Sequence, residues 1–468
     1  MSTVDASKVR EIIRQPEQYF EDYQLTIDKV SQSGAIYNGK PVPFLYVPKI
    51  FTKQDIHKLD EAAKNIFKIV NRTIDLYMKE AGVRALFGFD PRLEELILST
   101  VNGHGYQANV PMGRFDLFYY PDGGYKFCEL NADGASAMNE ENELTNVLLG
   151  TLAMQEIAKD YSVKRFELFD SWVKEVKHIY NEYLVSTHEV PIQFKNNQEN
   201  YANITVAILD FIDKGNLLEF EVFKDHFKKA GFNCIIIDPR DLTYYKGELF
   251  YQDRRIDIIY RRLVTKDLMD RYEEIPELIQ GILANQTCII GPIKSQVIHT
   301  KQFFEVLYQP AFRAFLSEDE IAYIDEHVPF TKPLQDSEDL NTYISDKNQY
   351  IVKPVDSYAS KGVCSGKDFS QEAWEALLKE KIKEDFIIQK YCPLALSENV
   401  IYDDEGKATL YEFHNLTGLF VYNQKFSGIY SRAGLNAIIS GQHGGYTMSS
   451  VYLDLCPSRC LRRRQAML

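Results

Sequence analysis

The sequence predicts a mixed α/β (α+β) protein. Three patterns carry that expectation: apolar stripes at three-to-four spacing in the first hundred residues, an alternating hairpin within 113–139, and a strand–helix–strand run beginning at Ile204. In the first region, 7–23, 53–81 and 91–99 keep their apolar residues on one helical face. The cleanest stripe, Ile56, Leu59, Ala63, Ile66, Ile69, Val70, Ile74 and Leu76, reads as core. Between the first two helices, YNGKPVPFLYVPKIFT has the proline and glycine punctuation of an extended connector.

The hairpin GRFDLFYYPDGGYKFCELNADGASAMN concentrates more polar chemistry than any other stretch. Residues 114–118 and 125–131 alternate, with Pro121, Asp122, Gly123 and Gly124 as the turn. Side chains two apart share a strand face, so Arg114 and Asp116 point one way and Glu129 and Asn131 can join them. A cation, two carboxylates and an amide oxygen suit a hard metal beside an anion. They equally suit a solvated face with a cross-strand ion pair.

Further along, 140–157 reads as a helix with Asn139 as N-cap and Glu140, Glu141 and Glu143 in the first turn, where acids suit the helix dipole. Residues 165–183 read as helical, and 189–203 as a polar connector. From Ile204, apolar runs at 204–211, 234–238 and 256–260 alternate with a helix at 218–230, which implies a parallel unit with right-handed crossovers. Its polar strand ends are Asp210, Asp238 to Arg240, Arg261 and Arg262. A helical stretch at 266–284 and a strand at 287–291 follow, with no GxGxxG at any strand–helix junction.

The segment 291–452 holds the second group of informative residues. Lys301 opens a helix, with Thr300 as cap. In QYIVKPVDSYASKGVCSG a buried strand ends at Lys353 and Pro354, and a loop of small residues follows, with Ser357, Ala359, Ser360, Gly362 and Gly366. Such a loop lets backbone N–H groups approach a phosphate, with Lys353 and Lys361 adding charge. An ordinary hairpin turn with surface lysines reads the same. DFIIQKY is an apolar strand, and 419–432 a hairpin turning at Asn423, Gln424 and Lys425 and ending at Arg432. Asn415, Gln442 and His443 read as structural. The arginine-rich 454–468 reads as a disordered tail, whose Cys456 and Cys460 lack two further ligands for zinc.

A net charge of −14 argues against a nucleic-acid surface. No stretch approaches the length of a membrane span and the N-terminus lacks an apolar signal core, so a cytoplasmic protein without a membrane partner is expected. The seven cysteines are scattered, and Cys128, Cys234 and Cys288 sit in apolar runs as free thiols.

Arg114-Phe-Asp116, then Glu129-Leu-Asn131-Ala-Asp133, then Lys301 in HTKQFFEVL and Lys353-Pro354 before a small-residue loop together resemble the circularly permuted ATP-grasp ligases. The chain is most similar to the glutathionylspermidine synthase synthetase domain and eukaryotic glutathione synthetase, in which the metal motif precedes the ATP lysines. The resemblance spans roughly 105–450. It implies an ATP-grasp fold in permuted order, with a mainly helical region at 1–100, the metal hairpin and helices at 101–200, an inserted parallel substrate lobe at 201–290, ATP-binding lobes at 291–453 and a tail at 454–468. It also implies ATP and Mg²⁺ as cofactors. Asp116, Glu129 and Asn131 would be the metal ligands, and Arg114 would lie at the acyl phosphate. Lys301 and Lys353 would hold the ATP phosphates. The loop bearing Ser357, Ser360, Lys361 and Gly362 would be a lid, and Gln389, Lys390 and Tyr391 a strand edge that reads adenine. Arg432 would lie near substrate or phosphate, and Ser136 against substrate.

The activity so implied is amide formation between a small-molecule carboxylate and an amine through an acyl phosphate. A catalytically idle ATP-binding scaffold or regulatory module, and a phosphotransferase that stops at a phosphorylated acceptor, are the alternatives. The Cys/His amidase domain of the bifunctional relatives has no counterpart in the first hundred residues. Glu219 and Glu221, the candidates for gripping a polyamine, read more simply as helix-surface acids. Glutathione and spermidine are therefore possible substrates, not predicted ones.

Overall fold

The apolar stripe of one long helix is the surface on which the central sheet packs. The computed structural model describes residues 6–37, 39–99, 105–187, 200–337, 339–357, 360–439 and 444–455. Gln442, His443, Cys456, Cys460 and the arginine-rich end lie outside them, as does most of the 189–203 connector. Among the described residues no helix is long and apolar enough to cross a membrane.

The chain begins with α1 (Ala6–Arg14) and α2 (Phe20–Gln32). One helix was expected over 7–23, but Pro16 has no N–H to continue the first and instead starts a short 3-10 turn. The expected connector is partly β: a small hairpin of β1 (Ile36–Tyr37) and β2 (Lys40–Pro41), then β3 (Lys49–Thr52). Thr52 and Asp55 form a capping box that starts α3 (Lys53–Lys79). Short helices α4 (Ala81–Phe87) and α5 (Pro91–Leu98) follow.

The predicted hairpin is β4 (Met112–Tyr119) with β5 (Tyr125–Asn131). Phe115 reaches back to Phe67 of α3, with ring centroids 5.2 Å apart. Next come α6 (Met138–Leu148), α7 (Leu152–Ala158), β6 (Tyr161–Arg165) and α8 (Phe169–Ser186). The helix expected over 140–157 is thus two helices, the second capped by Thr151. Asn139 is not the cap but lies within α6, its Nδ2 donating to Gly34 O. The N-terminus of α6 is satisfied from afar: Glu219 accepts from the N–H groups of Met138 (2.9 Å) and Asn139 (3.2 Å). Glu140 and Glu141, expected as helix-dipole partners, do stand in the first turn of α6, and both are buried.

The second lobe follows the predicted order. Strands β7 (Thr205–Leu209), β8 (Asn233–Ile237), β12 (Ile258–Arg261) and β13 (Cys288–Ile290) make a parallel sheet in the order β13-β12-β7-β8. Helix α9 (Leu217–Lys229) joins β7 to β8, and a meander of β9 (Leu242–Tyr245), β10 (Glu248–Tyr251) and β11 (Arg254–Arg255) leads into β12. Helices α10 (Thr265–Asp270) and α11 (Pro276–Ala284) precede β13. Glu219 on α9 is no surface acid: it is fully buried, 2.9 Å from the Arg262 guanidinium. Glu221, by contrast, pairs with Lys224 at the surface.

After four short helices, α12 (Gln296–His299), α13 (Gln302–Val306), α14 (Pro310–Arg313) and α15 (Glu318–His327), comes β14 (Thr331–Pro333). With α16 (Leu340–Ser345), β15 (Tyr350–Pro354), β16 (Cys364–Ser365), α17 (Gln371–Lys381) and β17 (Phe386–Lys390) it forms a smaller lobe around Trp374, with strand order β14-β17-β15-β16. Finally β18 (Ala395–Tyr402), β19 (Ala408–Tyr422), β20 (Lys425–Gly434) and β21 (Tyr446–Met448) complete the central antiparallel sheet, β21-β20-β19-β4-β5, with β18 on the first half of β19. The last strand, β22 (Ser450–Leu455), inserts between β3 and β6.

Glu219 therefore neutralises Arg262 and caps α6 at once. Glu219→Ala strands a buried guanidinium and two helix N–H groups, and is expected to destabilise the chain by about 3–5 kcal/mol in urea unfolding. Glu221→Ala is expected to change stability by less than about 1 kcal/mol.

Candidate active site

Register assembles the hairpin's polar face. Arg114 lies opposite Asn131 and Asp116 opposite Glu129, with a bulge just beyond. On the other side of β4, β19 sets Gly418 opposite Asp116. A Cβ at 418 would lie 2.6 Å from Asp116 Oδ1 and 3.0 Å from Arg114 Cδ, so the position admits only glycine. Arg114 grips Asp116 with both arms of its fork, at 2.9 and 3.1 Å, and donates its remaining arm to Ser136 O at 3.0 Å. Arg432, brought by β20, donates to the same carboxylate. Both guanidinium groups lie against the Tyr430 ring.

Asp116 is fully buried under these contacts, whereas Glu129 stays open. Asn131 Nδ2 donates to both acids at 3.3 Å, which turns its amide oxygen away from them. Lys301 Nζ lies 3.9 Å from Glu129 and donates to Ser357 O at 2.6 Å. Burial by itself would raise the Glu129 carboxyl. Lys301, then Arg432, Lys353 and Arg114 outweigh it and hold the group ionised, well below the usual carboxylate range. Glu129 thus offers a hard oxygen donor that suits Mg²⁺, and Asn131 would add its amide oxygen on a flip that gives up its donations to the two acids. Both oxygens of Asp116 are already engaged by arginines, so it would join them only on release from Arg432.

Lys353 projects from β15 into the interior and donates to Gln389 Oε1 at 2.8 Å and Cys128 O at 3.4 Å. Gln389 in turn donates to Thr331 Oγ1 at 2.9 Å. The loop after β15 bends through left-handed Ser360 (φ 58°) and Gly362 (φ 74°), and Ser357 Oγ donates to Lys361 O. Tyr358 and Ala359 lie outside the described residues. One expectation needs correction: β17, which carries Gln389 and Lys390, is paired on both sides by β14 and β15 and is not a sheet edge. The N–H groups of Lys390 and Tyr391 are taken by Phe330 O and Gln349 O. These residues face the site with side chains and carbonyls only.

Two adjoining cavities meet at this face. The first is lined by Glu129, Lys301, Lys353, Ser357, Ser360, Lys361, Gln389, Lys390, Tyr391 and Arg432, with an apolar wall of Phe118, Leu416 and Ile439. The second and larger takes in Arg114, Glu129, Asn131, Ser136, Ser357, Ser360 and Arg432. Asp116 and Gly362 line neither. Glu129, Ser357, Ser360, Arg432 and Ile439 belong to both and form the wall between them.

The second cavity also contains residues that the sequence did not mark: Asp133, Glu140, His299, Asp356 and Tyr430. Asp133 is committed to Arg261 and to the Thr265 N–H, tying the end of the hairpin to the parallel sheet. Beside it Gly134 (φ 56°) presses against Arg262 O, which a Cβ would meet at 2.7 Å. Glu140 is pushed up to about 8, by burial first and then by Glu219. Burial holds His299 below its ordinary value. It also raises the Cys128 thiol to about 11, so this thiol does not serve as a nucleophile. Asp133 and His299 stood inside the motifs that carry the resemblance, and Asp356 and Tyr430 lie within two residues of Ser357 and Arg432, but none of the four had been given a part in the site.

This is a mixed α/β chain. It belongs to the glutathionylspermidine synthase preATP-grasp family, which it matches over residues 45–442. Among solved structures, a glutathione synthetase-like effector from Globodera pallida in its apo form shares the fold at a TM-score of 0.55 and 12% identity, over 93% of this chain and 97% of that one. The ATP-grasp ligase PsnB complexed with a minimal precursor overlaps at a TM-score of 0.30 and 13% identity, over 53% of this chain and 89% of that one. D-alanyl-alanine synthetase A from Vibrio cholerae overlaps at 0.26 and 9%, over 53% and 88%. No curated protein matches the sequence.

The Glu140 shift gives a signed pH dependence. The unfolded chain loses this proton near 4.5 and the folded chain near 8, so the folded state binds more protons in between and this group's contribution to stability falls as pH rises across that window. Glu140→Gln removes the effect. Its urea midpoint is expected to gain on the parent's from about pH 4.5 to 8, and a constant difference would contradict the assignment.

Proposed function

We propose that the chain is an ATP-dependent carboxylate–amine ligase, ADP-forming, working through an acyl phosphate. One observation carries this reading: Glu129 and Arg432 stand in the wall shared by a lysine-lined cavity and a larger mixed-charge cavity. Such a wall suits a reaction in which a phosphoryl group passes from a nucleotide on one side to a carboxylate on the other. We read the fold as an ATP-grasp in permuted order, with the 201–290 lobe as the substrate lobe and 291–453 as the nucleotide lobes.

In this reading Lys353 and Lys301 hold the ATP phosphates, the 357–362 loop closes over them, and the Phe118, Leu416 and Ile439 wall with Gln389 to Tyr391 receives adenine. Glu129 and Asn131, joined by Asp116 once Arg432 releases it, would hold Mg²⁺, which would supply charge neutralisation at the phosphate oxygens. Arg114 and Arg432 stabilise the charge that develops as the substrate carboxylate attacks phosphorus. Ser136, beside Arg114, positions that carboxylate. The closed loop keeps water from the acyl phosphate until the amine attacks. No nucleophilic side chain is needed, because catalysis is positioning and electrostatics.

Incubation with ATP, Mg²⁺ and pools of carboxylates and amines is expected to release ADP and phosphate only when both substrate types are present. Glu129→Ala and Lys353→Met, each folded by circular dichroism, are expected to lose at least about 100-fold in kcat. Full turnover in both variants would sink the proposal. ATP binding without turnover in the parent would point to a regulatory module, and a phosphorylated acceptor without amide to a phosphotransferase.

A further inference from the structure

Among the described residues, Glu140 of the second cavity is paired with no cation. Glu140 is 3% exposed, lines the cavity beside Arg114, Ser136 and Tyr430, and its Oε2 has no hydrogen-bond partner among the described residues. Its neighbours on other elements are spoken for. Arg114 of β4 is committed to Asp116, Arg262 beyond β12 to Glu219, and Glu219 of α9 to Arg262 and the start of α6. Tyr430 of β20 carries no charge to offer, its hydroxyl being held above its ordinary value by burial first and then by Glu140. On its own helix, Glu141 also leaves one oxygen unpartnered, but it turns toward Ser450 and Thr145 and lines neither cavity, and Glu143 does not line them either.

A buried carboxyl beside a second carboxylate keeps its proton, and a cation entering the cavity relieves both the burial and the repulsion. A metal ion is the poorer occupant, since Glu140 is a single acid whose carboxylate neighbour, Glu219, is already paired with Arg262. A single carboxylate suits a single ammonium, whose N–H groups it accepts.

We propose that Glu140 receives the amino group of the amine substrate and takes its proton, an inference that rests on the ligase reading. Arrival of the ammonium draws Glu140 to its carboxylate form and releases its proton to solvent. The bound R–NH₃⁺ then passes one proton to Oε2, leaving a neutral amine. The nitrogen lone pair attacks the acyl carbon, and the C–O bond to the phosphate breaks with its electrons on oxygen. The second nitrogen proton leaves with the phosphate.

The test titrates ethylamine, glycinamide and diaminobutane into the full chain by calorimetry near pH 7, in two buffers of different ionisation enthalpy. The parent is expected to bind at least one of them with proton release. Glu140→Gln, which removes a like charge and keeps the shape, is expected to bind it on the order of tenfold or more weakly, with no buffer dependence. Glu140→Asp, which retracts the carboxyl, is expected to bind more weakly but still release a proton. Lys353→Met, outside the second cavity, should bind the amine as the parent does while losing ADP formation. No amine binding by the parent, or equal affinity in Glu140→Gln, overturns the proposal. Amine binding that depends on Glu140 in a chain that forms no ADP upholds the site and removes the ligase reading alone.

Discussion

The buried carboxylate of Asp116, clamped between the guanidinium groups of Arg114 and Arg432, is the interaction on which the rest of the site depends. An unpaired acid at that depth would be untenable, and one arginine would leave half of its lone pairs unmet. Two arginines from strands on either side of β19 satisfy it, and they meet across that strand because Gly418 has no side chain to separate them. The clamp uses up Asp116 and leaves Glu129, its cross-strand partner, as the acid that faces both cavities.

The same clamp organises the cations. Because Glu129 is partly open and surrounded by Lys301, Arg432, Lys353 and Arg114, it stays ionised despite its burial. The two lysines come from different parts of the fold, Lys301 from between α12 and α13 and Lys353 from β15 of the smaller lobe, and each is tied to backbone near the site: Lys301 to Ser357 O and Lys353 to Cys128 O. The smaller lobe is thus joined to the hairpin through the residues proposed to hold phosphate. Movement of that lobe would alter the charge around Glu129 and the position of the 357–362 loop together.

Much of the hairpin was legible in advance, because a period of two and a Pro-Asp-Gly-Gly turn are local properties of a short stretch. The parallel lobe was legible for the same reason, its apolar strand runs alternating with a helical pattern. The failures were of the opposite kind. Pro16 interrupts a helix whose apolar period runs through it, and Asn139 has the chemistry of a cap but is displaced by a carboxylate eighty residues away. Glu140 and Glu219 look like surface acids in sequence, since burial is not encoded in the identity of a charged residue. The status of β17 as an inner strand depends on β14, which three residues barely announce.

The sequence by itself determined which residue types stand near one another along the chain: an Arg-x-Asp and a Glu-x-Asn on facing strands, two lysines downstream, and a loop of small residues. These are matters of covalent spacing and strand period. Only the tertiary structure decided that Asp116 is enclosed while Glu129 is open, that Arg432 joins the same carboxylate from 316 residues away, and that Glu140 Oε2 ends in a cavity with no hydrogen-bond partner among the described residues. Burial and ion pairing depend on which surfaces fold against each other. The free energy of a charge depends on those surroundings far more than on its neighbours in sequence.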